Sequence, residues 1–598
     1  MCRIAGIFNP REASLNYQIT HMRDAMQHGG PDDAGIYLHP QLPLALGHRR
    51  LSLIDLSAAG HQPMHFEERG LTVVFNGEIY NYKELRSTLI HYGYTFRSDS
   101  DTEVILKAYA QWGVEAFEYF NGMFALAIWD NQRQQLVLAR DHAGIKPLYY
   151  YLDGETLYFA SEIRAFSACG KTFAENKKWK SAFLAFGHLP EPVTTLEAVV
   201  PLEKGTALVI QLPDLSVQKH QFFTWDFNPV LKNEDDALQL IRETLEAAVE
   251  RHLVSDAPLG LFLSGGIDSS LLTILAANYI PDQLHTLSII FQEQQFSEER
   301  FQQVVIEKTG ARHRSYLVTR DIYNAQLSDA MLAMDQPSLD GINTYFISRY
   351  AREYGLKAVL SGLGADELFG GYPSFHNHRK IDWIRHMPDG LLKSLQHLPD
   401  HRMRKLSYAG IDNVAAEYLV HRGIFTPLAI ASLLDVAEQE VLQNLEEISS
   451  HYDVGNLQNG NRVSWFETNF YMQNQLLKDS DYMSMWHGLE IRVPFLDKEL
   501  MLMAAQIDPA LKFSRELPKY LLVKSFENEL PQAIWKRKKQ GFTFPFEGWL
   551  KDNDYTKPNT SDEQRLYTAF RNRKLSWGRY WCALLMNRFS EKMVHAAA

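Results

Sequence analysis

Short apolar runs broken by turns dominate the first third of the chain. LTVVFNGEIYN (71–81), GMFALAIWD (122–130), QLVLARD (135–141), LYYYLDGETLYFASE (148–162) and ALVIQL (207–212) have strand length and are rich in β-branched and aromatic residues. Strands so closely spaced predict stacked antiparallel sheets. KELRSTLIHYG (83–93) and TEVILKAYAQWG (102–113) instead repeat apolar residues at three- and four-residue spacing and predict helices. The pattern changes near residue 211, where Pro-containing sequence of mixed polarity precedes the helical run DALQLIRETLEAAVERHLV (236–254). From 258 onward strand-like PLGLFLSGG, LHTLSIIF and KAVLSGLG alternate with helical SSLLTILAANYI, ERFQQVVIEKTG and YFISRYAREYG. That alternation marks a parallel sheet flanked by helices. The expected organisation is a β-rich domain over 1–210, a linker over 211–235, an α/β domain over 236–552 and a helical tail over 553–598.

Composition narrows the class. A chain of 598 residues exceeds what one hydrophobic core serves, and its 45% hydrophobic and 22% charged content is that of folded multidomain proteins. The net charge of -12 argues against a dedicated nucleic-acid binder, and no apolar run reaches the roughly 18 residues of a membrane span. Neither nucleic acid nor membrane is therefore an expected partner. Three cysteines, Cys2, Cys169 and Cys582, lie far apart without a CxxC pair. A disulfide framework and a structural zinc site are both disfavoured, and a reducing, cytoplasmic setting is expected.

The candidate chemistry sits at two places. Cys2 directly follows the initiator methionine, so removal of Met1 would put a thiol and a free α-amine on one residue. An α-amine with pKa near ~8 is partly unprotonated at neutral pH and can take the thiol's proton, which activates the sulfur. In LFLSGGIDSS a buried strand runs into a glycine- and serine-rich turn and then a helix, the arrangement that cradles a pyrophosphate. No GxxxxGK[ST] exists, and GLGADE at 362–367 lacks the third glycine of a dinucleotide fingerprint. Absence of the Walker lysine points to cleavage between the α and β phosphates. Asp268 is a natural Mg²⁺ ligand there. A second acidic, glycine-rich turn after a strand, KAVLSGLGADELFGGY (357–372), offers Asp366 to share the metal, and Ser361 and Gly362 to line the nucleotide.

Taken with GPDD (30–33), HRRLSLIDLS (48–57), HQPM (61–64), NGEIYNY (76–82), SDTE (100–103), RDHAGIKPLYY (140–150), LEIRVPFLD (489–497) and KKQGF (538–542), these motifs resemble, in order, the glutamine-hydrolysing asparagine synthetase family of the bacterial B type. The resemblance implies an α/β protein: an N-terminal αββα N-terminal-nucleophile hydrolase sandwich joined to a parallel-sheet, ATP-pyrophosphatase-type synthetase domain, with ammonia passing between them. It implies that Cys2 attacks the glutamine side-chain amide, that Asn76 and the amide of Gly77 form the oxyanion hole, that Arg50 clamps the α-carboxylate, and that Glu78 and Asp101 hold the α-ammonium. It further implies ATP binding by Phe262, Ser264, Gly265, Gly266, Asp268, Ser269, Ser270, Ile289, Ser361 and Gly362, Mg²⁺ on Asp268 and Asp366, and charge neutralisation by Lys539. Asp481 falls in the family's acceptor and nucleotide signature. The implied substrates are glutamine, ATP and aspartate or another small carboxylate, and family members often form homodimers.

Two departures stand out. The family's asparagine-forming members usually read SGEGxDE where this chain has Leu363, and leucine can neither take a proton nor hold an ammonium group. Gly29 stands where the family commonly has arginine. Asp335, Asp340 and Asn343 in DQPSLDGINTY are candidates to replace the lost acceptor contact. An RNA-acting pyrophosphatase-type enzyme and a scaffold without turnover are the other classes considered, the first opposed by the acidic charge and Cys2, the second by retention of the site residues.

Overall fold

The computed structural model describes residues 2–597 except 12–13, 282, 514–516 and 538–543. Twelve strands form two antiparallel sheets: β1 (Arg3–Phe8), β2 (Asp33–Leu38), β3 (Leu44–Arg50), β4 (Met64–Phe66), β5 (Leu71–Ile79), β6 (Gly122–Asp130), β7 (Gln135–Arg140), β8 (Tyr149–Leu152), β9 (Leu157–Ala160), β10 (Val199–Pro201), β11 (Thr206–Gln211) and β12 (Val217–Gln221). Their orders are β10-β8-β9-β1-β3-β2 and β12-β11-β7-β6-β5-β4.

The period-two alternation of each strand decides the layering. On β6, Ala125, Ala127 and Trp129 face the other sheet, where they meet Ile4 and Phe8 of β1 and Leu44 and Leu46 of β3. Phe124, Leu126 and Ile128 point outward onto Val104, Ile105 and Ala108 of the helix Asp101–Trp112. Beyond the first sheet, Ile19 and Met22 of the helix Leu15–Asp24 pack on Ala5 and Ile7. Helix, sheet, sheet and helix follow in that order, the αββα sandwich. The second sheet takes in Val217–Gln221, which pairs antiparallel with β11, so part of the stretch expected as a linker is an edge strand. Its exposed, polar VQKHQ gave no apolar signal.

The remaining five strands, β13 (Leu259–Phe262), β14 (His285–Ile290), β15 (Arg312–Leu317), β16 (Ala358–Leu360) and β17 (Glu490–Arg492), form an all-parallel sheet of order β15-β14-β13-β16-β17. Between β13 and β16 the direction of winding reverses. The turns leaving these two strands, SGGIDSS and SGLGAD, therefore flank one crevice, where doubly wound sheets bind ligands. The tail returns to the first domain: Tyr580, Trp581, Cys582, Leu584 and Leu585 are buried, and Cys582 Sγ donates to Phe183 O at 3.6 Å.

A buried ionic seam joins the halves. Arg3 bonds Glu162 through Nε at 2.6 Å and Asp481 through Nη2 at 2.9 Å, and Lys146 pairs with the same Asp481. Arg3, Glu162, Lys146 and Asp481 are all buried. Asp335 accepts the amides of Ile163 at 2.7 Å and Arg164 at 3.0 Å in the same seam. Gly29 now has a reason. A Cβ there would lie 2.8 Å from Cγ and Nε of Arg3, so the Arg3 stem fills the space that a side chain at position 29 would need. Asp481→Ala would leave two buried cations without their shared carboxylate, and should lower stability by about 3–5 kcal/mol in chemical denaturation.

Candidate active sites

Cys2, Arg50, Gly77, Glu78 and Asp101 line one small chamber at the end of the sandwich. Cys2 precedes β1 and is 7% exposed, and its Sγ points to Leu51 O at 4.0 Å. The Cys2 nitrogen donates to Asn76 Oδ1 at 3.2 Å, while the buried Asn76 Nδ2 has no hydrogen-bond partner. That orphaned donor, on the residue bonded to the Cys2 nitrogen, is an unmet demand for an acceptor. Gly77 follows on β5 with its Cα pressed against β6; a Cβ would sit 2.0 Å from Met123 O. Burial pushes the Cys2 thiol up, while the chain's amino terminus, the hydrogen bond to Leu51 and the Arg50 guanidinium pull it down.

Arg50 is braced by backbone carbonyls, with Nη1 donating to Ser57 O at 2.9 Å and Nη2 to Asp55 O at 2.5 Å. Glu78 is pushed well above the usual carboxylate range, first by burial and then by Glu490 and Asp101. Asp101 is pushed up to about 6 by burial, although its Oδ2 accepts the Ile79 amide at 3.0 Å. Two carboxyls held above their ordinary pKa in a closed chamber favour a cationic visitor, which would let both ionise.

Sequence reasoning missed Arg492 at this site, although it lies inside the quoted LEIRVPFLD. Its Nη2 stands 3.7 Å from Glu78 and its Nε 2.6 Å from Glu490, and its carbonyl accepts the Ser361 amide at 2.8 Å. One residue thus touches the acids of the first chamber and the turn of the second site.

The second site is a cavity of about 450 Å³ in the crevice. Phe262, Ser264, Gly266, Asp268, Ser269, Ile289, Ser361, Gly362 and Asp366 line it. The loop is self-braced: Ser264 Oγ lies 2.9 Å from Ser269 Oγ and accepts the Gly266 amide at 3.2 Å. Gly265 and Ser270 are the expected nucleotide residues that do not line the cavity. The Gly265 carbonyl is turned to Arg537 Nη2 at 2.9 Å, and Ser270 is fully buried on the far face of the helix Ile267–Tyr279. Lys539 lies outside the described residues.

Lys519 is the second residue that sequence reasoning missed. Its ammonium sits 2.5 Å from both Asp268 and Asp366, and those carboxylates hold it above the ordinary lysine pKa. Its backbone is left-handed, with φ 57° and ψ 39°, a strained conformation for a non-glycine residue that places the side chain at the turn. Two carboxylates converging on one cation are the donor set of a hard divalent-ion site, so Asp268 and Asp366 fit Mg²⁺. Asp340, Asn343 and Leu363 also line the cavity, while Asp335 lies in the seam. Asp481 does not line the cavity either. On the helix Leu477–Met485 it is two residues, about 200°, from Asp479, which does.

Residues 1–223 match the family model for a glutamine amidotransferase domain, and residues 240–566 that for asparagine synthase. A glutamine-using chamber coupled to a nucleotide crevice defines the class, an ATP-dependent carbon–nitrogen ligase that draws its nitrogen from glutamine. The chain is 34% identical to the Bacillus subtilis (strain 168) protein named asparagine synthetase (glutamine-hydrolyzing) 1, over 92% of this chain and 88% of that one. It is 28% identical to Escherichia coli (strain K12) asparagine synthetase B (glutamine-hydrolyzing), over 95% and 87%. A Gibberella zeae protein named Amidase chry2 is 30% identical over 59% of this chain and 55% of its own length. The chain belongs to the glutamine-hydrolysing asparagine synthetase family.

Among the described residues no helix is long and apolar enough to cross a membrane.

The raised pKa of Asp101 makes a stability claim with a definite sign. Its folded pKa of about 6 lies above the unfolded value near 3.9, so its contribution favours folding below about pH 4 and is lost as pH rises through 6. Asp101→Asn should therefore gain on the order of 2–3 kcal/mol relative to wild type between pH 4 and pH 7, read from urea denaturation at both pH values.

Proposed function

We propose that the protein hydrolyses glutamine at Cys2 and uses the ammonia to amidate an ATP-activated carboxylate, with release of AMP and pyrophosphate. The observation that supports this reading is the convergence of Cys2, Arg50, Gly77, Glu78 and Asp101 on one chamber, with Asn76 hydrogen-bonded to the Cys2 nitrogen behind it and Arg492 linking Glu78 to the Ser361 turn of the second cavity. With Met1 removed, the Cys2 amine takes the thiol proton and Sγ attacks the glutamine side-chain amide carbon. Asn76 Nδ2 and the Gly77 amide receive the developing oxyanion, donors typically worth about 3–4 kcal/mol each. Collapse breaks the C–N bond and frees ammonia, and water then cleaves the thioester to glutamate. Arg50 binds the substrate's α-carboxylate, and Glu78 with Asp101 its α-ammonium.

In the second cavity the Ser264–Ser269 loop holds the phosphates, and Asp268 and Asp366 would hold Mg²⁺, which when bound screens phosphate charge. Lys519, and Lys539 by resemblance, neutralise charge on the departing pyrophosphate. Aspartate is the acceptor that the relatives' names suggest. A different carboxylate is the second reading, favoured by Leu363 on the cavity wall.

Cys2→Ala should abolish glutamine-supported AMP release and glutamate formation while ammonium chloride still supports AMP release. Loss of both would contradict the two-site reading. Lys519→Ala should slow AMP release about 10²–10³-fold with either nitrogen source and leave glutamate formation in place.

A further inference from the structure

We propose that the acceptor is an amine-bearing monocarboxylic acid, its ammonium held by Asp479 and Asp340, rather than aspartate; this rests on the ligase reading above. The cations lining the cavity among the described residues are Lys519 and Arg537, and both are committed at the phosphate-type loop. Lys519 is held by Asp268 and Asp366, and Arg537 by Glu298 and Gly265 O. Asp340, Asp479 and Glu367 line the same cavity, and among the described residues none of them pairs with a lysine or arginine. Their contacts are weak partners for charge. Asp479 Oδ2 accepts from Ser338 Oγ at 2.7 Å, Glu367 Oε1 from the Tyr372 hydroxyl at 2.6 Å, and Asp340 Oδ1 from the Gly341 amide at 3.0 Å.

Asp479 is the telling residue. It is 3% exposed, lines the cavity, and its Oδ1 has no hydrogen-bond partner. A buried carboxylate oxygen without a donor is costly unless a ligand supplies one. Burial, and next the charge of Asp340, raise the Asp479 carboxyl well above the usual range, so the two are neighbours that a shared cation would relieve. Leu363, Ile347, Leu476 and Tyr471 add apolar and aromatic surface to the same lining, and its other polar members there, Asn343, Thr344 and Ser480, are uncharged. An acceptor with one ammonium, one reacting carboxylate and a neutral body meets all of these demands. Aspartate brings a second carboxylate, which would face Asp340 and Asp479 with no free cation among the described lining residues.

The test is AMP release by the full-length protein with ATP, ammonium chloride and three sets of acids: aspartate and glutamate; the amine-bearing monocarboxylates β-alanine, 4-aminobutyrate, lysine and alanine; and the amine-free propanoate and butanoate. At least one amine-bearing monocarboxylate should exceed both aspartate and its amine-free counterpart in kcat/KM by about ten- to a hundredfold, the value of a charge-assisted hydrogen bond. Asp479→Asn, and the less buried Asp340→Asn as a second variant, should erase most of that advantage through the acceptor KM. Preference for aspartate, equal use of the amine-free acids, or variants that raise the ammonium KM and spare the acceptor KM would each overturn the proposal and leave the ligase reading standing. AMP release with no acid at all would remove that reading, and this one with it.

Discussion

Everything in this molecule hangs on charged groups buried where its halves meet. Arg3, one residue from Cys2, is neutralised by Glu162 of its own domain and by Asp481 of the other. Arg492, one strand from the nucleotide-type turn, is neutralised by Glu490 of its own domain and faces Glu78 of the other. Buried ions stabilise little in net terms, because desolvation offsets their attraction, but they tolerate only one arrangement of partners. The seam therefore sets the register between two sites more than it adds to stability. Lys146, whose carboxylate partner is Asp481, is paired only when both domains are docked.

That register has a chemical use. Ammonia released near bulk water is protonated and ceases to be a nucleophile, so a nitrogen donor site must be closed and held against the acceptor site. Burial beside Cys2 raises the Glu78 and Asp101 carboxyls above their ordinary range. A cation bound there would reverse that penalty, and Arg492 faces the same Glu78 at 3.7 Å. Because the Arg492 carbonyl also holds the Ser361 amide, occupancy of one site and the backbone of the other share a single strand, β17.

The second cavity repeats the theme with opposite sign. At its loop end a lysine, Lys519, sits between the carboxylates of Asp268 and Asp366. At the Asp479 end the carboxylates outnumber the cations. Leu363 belongs to this picture: it lines the same cavity as Asp479, on the helix Leu477–Met485, and Asp340, in the loop before the helix Ile342–Glu353.

Much of this was legible in the chain. Period-two runs announced the sandwich, alternation of strand and helix announced the parallel sheet, and contiguous motifs such as SGGIDSS and NGEIYN carried their own chemistry, because a turn and the residues on it are neighbours in sequence. Cys2 and the SGGIDSS loop could be read for that reason, whereas Asn76, Gly77, Glu78 and Asp101 were reached through the resemblance to the family. The polar edge strand β12 could not, since nothing apolar marks a strand exposed on one side. Nor could Lys519, whose partner Asp268 lies 251 residues away, or the approach of Arg492 to Glu78 of the other domain. Asp479 and Asp481 look interchangeable in LLKDSDYM, yet the helical twist sends one into the cavity and the other into the seam. Sequence alone determined most of the elements, because these depend on local periodicity and local turns, and the family, because its motifs recur in order along the chain. Only the tertiary structure decided which charge faces which, why Gly29 is tolerated, and which acids line the acceptor wall, because a buried charge is defined by partners that folding brings from elsewhere in the chain.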